Sequence, residues 1–229
     1  GGIGNQLSIK NRRFTFNDEN LGRKINGIVV DFVYFKSYYD TKYDEDKVSA
    51  PTCFALSVDG EDMEPHDNSA KKQHDTCEGC PMNEWGSGGK RRKACKDRRK
   101  LAIIHGDDAG SAEDVAEANI AVLSLPVTSV REWGNYKDEV KEKLSRPYYA
   151  VMTEISFDED ESFPKPVFAL DEKLEKDVVE AVKERREEVR DMLMTPFSKS
   201  SDDEDEDEDE DEDDEKKETD NGKAKPAAK

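Results

Sequence analysis

Cysteine occurs four times in this chain, and all four residues, Cys53, Cys77, Cys80 and Cys95, fall in one window. Cys77-Glu-Gly-Cys80 is a knuckle whose two-residue gap lets both sulfurs face one ion. Gly79 and Pro81 suit the tight turn it needs. Cys95 follows after 14 intervening residues and Cys53 precedes by 23. A strand cysteine, a knuckle and a returning cysteine form a donor set for a four-thiolate tetrahedral zinc site, so Zn2+ is expected as a structural ion. The same residues also allow four free cysteines, an iron cluster or other redox metal, or a site in which His66 or His74 replaces one thiol. The spacing lacks the closely set cysteines of ferredoxins. A catalytic zinc usually keeps an open position and His or carboxylate ligands.

The residues strung along this window carry a second chemistry. Between Lys90 and Lys100 the chain holds Lys90, Arg91, Arg92, Lys93, Lys96, Arg98, Arg99 and Lys100 against a single acid, Asp97. Trp85 stands just upstream, beside Gly86-Ser87-Gly88-Gly89. Cations neutralise phosphates without regard to sequence, and an exposed aromatic stacks on a base. The competing readings are a solvated charged face or a dock for the chain's own acids, and a tryptophan packed as a lid over the metal. The overall charge of −19 conceals this patch, because Asp202 to Glu215 is an unbroken run of 14 acids whose removal would leave −5.

Composition divides the chain into three parts. Residues 1–10 are Gly-rich and polar, expected as a flexible start. Residues 11–197 hold almost all large apolar side chains and form one domain. From Ser198 to Lys229 there is too little apolar area to offset chain entropy, and that acidic tail is expected to be disordered. No stretch approaches the roughly 20 apolar residues of a membrane span. No signal-peptide pattern appears. The chain therefore reads as soluble and intracellular, where a reducing compartment favours cysteine as a ligand over cysteine as a disulfide.

Within 11–197 the pattern is mainly β. Strands are expected at Arg13–Phe16, Ile25–Tyr39 (one long bent strand), Cys53–Val58, Leu101–His105, Asn119–Leu125, Tyr148–Phe157 and Pro166–Leu170, the last two as a hairpin. Alternation along the long strand puts Phe32, Tyr34 and Tyr38 on one face and Val33, Phe35 and Tyr39 on the other. One face is core. Tyr38 and Tyr39, flanked by Lys36 and Lys42, are the least core-like and join the candidate nucleic-acid residues. Two helices follow from apolar spacing of three and four: one from Thr128 or Ser129 to Leu144 through Val130, Trp133, Tyr136 and Val140, and one from Leu174 to Leu193. Five strands, a helix, two strands and a helix fit an oligonucleotide-binding (OB-like) barrel with a zinc-binding insertion at about 53–100. No phosphate-cradling loop, His-Glu-x-x-His or Gly-x-Ser-x-Gly motif is present, and three histidines support little catalysis, so no enzyme is expected.

Three segments carry a resemblance: Thr52-Cys-Phe-Ala-Leu56, the stretch Cys77-Glu-Gly-Cys-Pro-Met-Asn-Glu-Trp-Gly-Ser87, and Lys93-Ala-Cys-Lys-Asp-Arg-Arg-Lys-Leu-Ala102. They are similar to a family of bacteriophage proteins. The likeness continues at Leu125-Pro-Val-Thr-Ser129 and Val151-Met-Thr-Glu-Ile-Ser-Phe157, covering about 50–170. The layout resembles phage single-stranded DNA-binding proteins in which a barrel, a zinc insertion and an acidic tail occur together. That resemblance implies coating of single-stranded DNA in replication or recombination, in the cytoplasm of an infected host. It also implies contacts of the tail with replication or recombination proteins, although this tail ends basic and lacks an apolar tip. The alternative is a protein-interaction module whose zinc and basic loop grips a host factor such as a polymerase.

Overall fold

The computed structural model describes residues 6–40 and 50–198. Residues 1–5, the acidic run and the rest of 199–229 lie outside the described residues, as does Tyr43.

Among the described residues, nine strands make one curled, half-barrel-like sheet. They are β1 (Gln6–Lys10), β2 (Arg13–Phe16), β3 (Glu19–Gly22), β4 (Ile25–Tyr38), β5 (Cys53–Ser57), β6 (Lys96–His105), β7 (Ala121–Leu125), β8 (Val151–Phe157) and β9 (Pro166–Lys173). Their order is β3-β2-β1-β7-β6-β4-β8-β9, with β5 laid along the second half of β4. All pairs are antiparallel except β1 with β7. β3 and β9 are the two ends of the order. The fold is mainly β, but among the described residues there are three α-helices where two were expected: α1 (Ala112–Glu117), α2 (Val127–Leu144) and α3 (Lys176–Leu193).

Residues 6–10, expected as loose chain, are a strand that pairs with both β2 and β7. The turns on either side of β2 explain the meander. Asn11 and Arg12, then Asn17 and Asp18, all have positive φ, the two-residue geometry whose twist matches that of paired strands. The short helix α1 falls between the expected strands Leu101–His105 and Asn119–Leu125, where no helix was expected; Ser111 caps it by accepting from the Asp114 N–H at 3.1 Å.

Each face of the sheet has its own core. On one, Trp133, Tyr136 and Val140 of α2 pack on Leu7, Phe14, Val29, Leu101, Leu123 and Ile155. Tyr136 Oη meets Thr153 Oγ1 at 2.7 Å, and burial pushes its phenol up to about 12. On the other, Val178, Val182, Val189 and Leu193 of α3 and Val115 of α1 cover Ile28, Val30, Val33, Ala102 and Ile104. The stripes read from the sequence are the buried faces of both long helices. The start of α2 differs: it opens at Val127, after Pro126, with no side-chain cap, so neither Thr128 nor Ser129 serves as one.

β4 is the member both cores share. Its register against β6 shifts between Val29 and Asp31, a bulge that exchanges the parity of its two faces. Ile28 and Val30 point to α3 before it, and Val33 does so after it. The bulge delivers Asp31, 3% exposed, to the α3 side. There its carboxylate accepts from Arg190 Nε and Nη2 (3.1 and 2.9 Å), Arg186 Nη2 (3.1 Å), Tyr148 Oη (2.9 Å) and the Phe32 N–H (2.9 Å). A buried carboxylate with this many donors is fully satisfied and rivets α3 to the sheet. Beyond α3, Phe197 lies against Phe35 and Phe54, and its carbonyl accepts from Asn68 Nδ2 at 2.9 Å.

Candidate functional site

The second half of β4 holds the cysteines. Tyr38 pairs with Cys53 on β5, and Ser37 pairs with Lys96, the residue after Cys95. The connection from β5 to β6 folds back on these strand ends. The Cys77 N–H donates to the Met63 carbonyl (2.9 Å) and the Cys95 N–H to that of Met82 (2.8 Å). Asn83 clamps the knuckle: its backbone N–H reaches the Cys80 carbonyl at 2.9 Å and its Nδ2 the Cys77 carbonyl at 2.7 Å. Pro81–Asn83 forms one tight turn after Cys80.

All four cysteines line one pocket of about 10 Å3, together with Lys36, Tyr38, Met82 and Asn83. That is the volume of roughly one water-sized centre. None of the four is in a disulfide. Burial pushes the Cys77 thiol up to about 11 and the Cys95 thiol up to about 12, against the opposing pull of Lys36. Neutral thiols in so dry a place are poor partners for one another, whereas a divalent cation deprotonates a coordinating thiol outright. As the side chains are placed, no group of three or more His, Cys, Asp or Glu is drawn together to hold an ion among the described residues. The donor set suits a soft tetrahedral ion: Cys53, Cys77, Cys80 and Cys95 would hold it, and it would supply cross-linking only. Neither histidine lines the pocket. His66 stacks on Phe54 and accepts from the Asn68 N–H at 3.0 Å, and exposed His74 accepts from the Thr76 N–H at 3.2 Å.

Asp97 stands beside the thiols as the acid within the basic run. It ion-pairs with Lys36 and, at 3.2 Å, with Lys93, which also donates to Asn83 Oδ1 at 3.0 Å. Burial alone would raise the Asp97 pKa; the two ammonium groups outweigh it and hold the carboxyl below its ordinary value.

The basic run is not one loop. β6 begins at Lys96, so strand alternation divides its cations between two faces. Lys100 points toward α3, its Nζ 5.0 Å from the Phe35 ring and 5.1 Å from that of Phe197. Arg99 points the other way and lies over Tyr34 at 3.9 Å. Burial lowers the pKa of both. Tyr38 and Tyr39 separate likewise. Tyr38 is in the cysteine pocket, while 39%-exposed Tyr39 stands near Arg98, whose charge opposes the burial-driven rise of its pKa.

What the fold does gather is a groove of about 520 Å3 lined by Trp85, Arg91, Arg92, Lys93, Lys96, Arg98, Val127 and Thr128, together with Cys95 and Asp97. Exposed Lys90 lies one residue from it along the chain. Trp85 is 76% exposed and does not line the cysteine pocket, where Met82 sits instead; it is no lid. Nor is its turn loose. Ser87 Oγ lies 2.9 and 2.7 Å from the Met82 and Glu84 carbonyls and accepts from the Ala94 N–H at 2.9 Å. Gly86 and Gly88 both donate to the Arg92 carbonyl (3.1 and 2.9 Å). A Cβ on Gly88 would lie 2.7 Å from the Lys93 carbonyl, so only glycine fits there. Among the described residues, Arg91, Arg92 and Arg98 have no carboxylate partner, and the Arg98 Nε is buried without an acceptor. A separate pocket has the opposite sign: Glu61, Asp62, Glu64 and Glu78 line it together with Lys36 and Cys77.

Val127 and Thr128 are the groove residues that sequence reasoning missed. Val127 is 45% exposed, and its only signal in the sequence is that it falls off the buried stripe of α2. No helix among the described residues is long and apolar enough to cross a membrane. No protein-family model, curated protein or solved structure matches the chain.

Proposed function

We propose that this chain is a single-stranded DNA-binding protein of a bacteriophage, an OB-like binding module that coats DNA during replication or recombination. One observation carries the reading: an exposed indole, held on a braced turn, shares a groove with arginines that have no carboxylate partner among the described residues. Unpaired cations next to an unsatisfied aromatic surface are what a flexible anionic strand with free bases needs. Zinc held by Cys53, Cys77, Cys80 and Cys95 would be structural and fix the Trp85 turn. The acidic tail would serve contacts with replication or recombination proteins, and the role is one of binding without catalysis.

Titration of the full-length chain with single- and double-stranded oligonucleotides across a salt series tests this. With about four cations on phosphates, the log–log slope for a single strand is expected near −3. A flat salt response, or equal affinity for duplex, would overturn it. The apolar exposure of Trp85 and Val127 favours one second reading, a module that grips a host protein such as a polymerase. Capture of one defined protein that survives nuclease treatment, with no oligonucleotide binding, would establish that reading instead.

A further inference from the structure

We infer that the groove between the Trp85 turn and the start of α2 is a slot for one unpaired nucleotide, with Val127 as a base-contacting residue. The inference rests on the nucleic-acid reading and goes beyond it, because it names what the groove takes and adds a residue outside the cysteine module.

The volume, about 520 Å3, lies within the range of roughly 300–1,000 Å3 typical of small-ligand pockets. It is far too small for the side of a duplex to enter. The lining is mixed in a particular way. Among the described residues, Trp85 and Val127 are two of the few large apolar side chains left exposed, and the fold brings both to the same groove from positions 42 residues apart in sequence. Arg91, Arg92, Lys96 and Arg98 present apolar stems inward as well as charged heads, so the exposed surface of the groove is mostly apolar although its charge is strongly positive. An inorganic anion would satisfy the charges and leave the apolar surface wet. An apolar peptide would cover that surface and leave the guanidinium groups unpaired. A nucleotide meets both demands, with its base on the indole and the valine methyls and its phosphate on the arginines. Only an unpaired base has a free face to offer, so the slot selects single strands by geometry.

Lys93 contributes differently from its neighbours. Its Nζ is 5.8 Å from the Trp85 centroid and is shared with Asn83 and Asp97, so it positions the indole and leaves the phosphate to the arginines.

The test is a double difference with the full chain. A dT oligomer of about ten residues and an abasic oligomer of equal length and charge are titrated against wild type and Val127→Ala, following tryptophan fluorescence. The other tryptophan, Trp133, is buried and silent to direct stacking. The dT oligomer is expected to quench the signal and to bind at least about fivefold tighter than the abasic one, the lower bound for one stacked base. Val127→Ala should weaken dT binding about fivefold and leave abasic binding unchanged, since only apolar contact is lost. An unchanged melting temperature shows the variant is folded; if Ala perturbs α2, Val127→Thr, similar in shape but polar, gives the same readout. Equal losses on both oligomers, or none on either, overturn the slot while leaving DNA binding intact. No binding of either oligomer at low salt overturns the DNA reading itself. An acidic peptide spanning residues 201–215 that binds as tightly as dT, with the same Val127→Ala loss, assigns the groove to the tail and overturns the slot.

Discussion

Asp31→Asn is expected to destabilise the fold by about 3 kcal/mol, the lower end of the cost of breaking a buried ion pair. The lower end applies because Arg186 and Arg190 keep 23% and 38% of their side-chain surface in water and can recover some hydration. The carboxylate is 3% exposed and takes donors from two helical-layer arginines, a tyrosine and a backbone N–H, so an amide cannot replace it. An amide nitrogen would face Arg190 donor to donor. Urea unfolding monitored by circular dichroism checks this: the midpoint should fall with little change in slope. A loss under about 1 kcal/mol would mean that α3 is held by its valines alone.

Removal of the proposed zinc should have a larger but local effect. Chelation is expected to strip hydrogen-exchange protection from residues 53–95 while far-UV circular dichroism stays close to that of the loaded protein. The two cores of the sheet bury fifteen residues each, none of them from the cysteine connection. The cysteine segment has a cluster of three buried residues, Ala55, Met63 and Cys77, with Tyr34 against it, while buried Phe54 packs on His66 and Phe197. So little apolar burial cannot offset the ordering of a connection this long, and segments of that kind depend on a staple. Oligonucleotide binding should drop more than about tenfold in the same sample, because the Trp85 stack is lost with its turn. Elemental analysis should give one zinc per chain, and Cys80→Ser should reproduce the chelated state. A metal-free protein that keeps protection across 53–95 would refute the staple.

The residues behind these two expectations differ in how far the sequence reveals them. The helix stripes through Trp133 and Val182 are legible because apolar residues recurring every three or four positions along a long segment fit a helix and no strand. The length of β4 is legible from its β-branched run. Its bulge is not: simple alternation from Phe32 to Tyr39 is correct locally, but nothing in the residues announces the slip at Val29–Asp31 that gives Asp31 to α3. β1, β3 and α1 are too short and too polar to carry a pattern. Sequence pattern starts β6 at Leu101, five residues late, because Lys96 to Lys100 is a composition that strands usually avoid. That late start merges a turn and a strand into one basic loop and hides the division of the cations between two faces. The shared pocket of the cysteines is legible from their spacing. Val127 is not, since its place beside Trp85 depends on how β7 ends against β6.

The pairing pattern of the sheet sets an order of assembly as well as a shape. Tyr38 meets Cys53 across 15 residues, a local closure. Gln6 must find Val122, 116 residues away, and Ile25 must find Ile155, 130 residues away. The hairpin that carries Cys53 is therefore ready early, while the middle of the sheet waits for chain made much later. A topology so dominated by distant pairings folds in milliseconds to seconds rather than microseconds. During synthesis, the first strand emerges long before its parallel partner exists, and the four cysteines proposed as zinc ligands are all made before that partner.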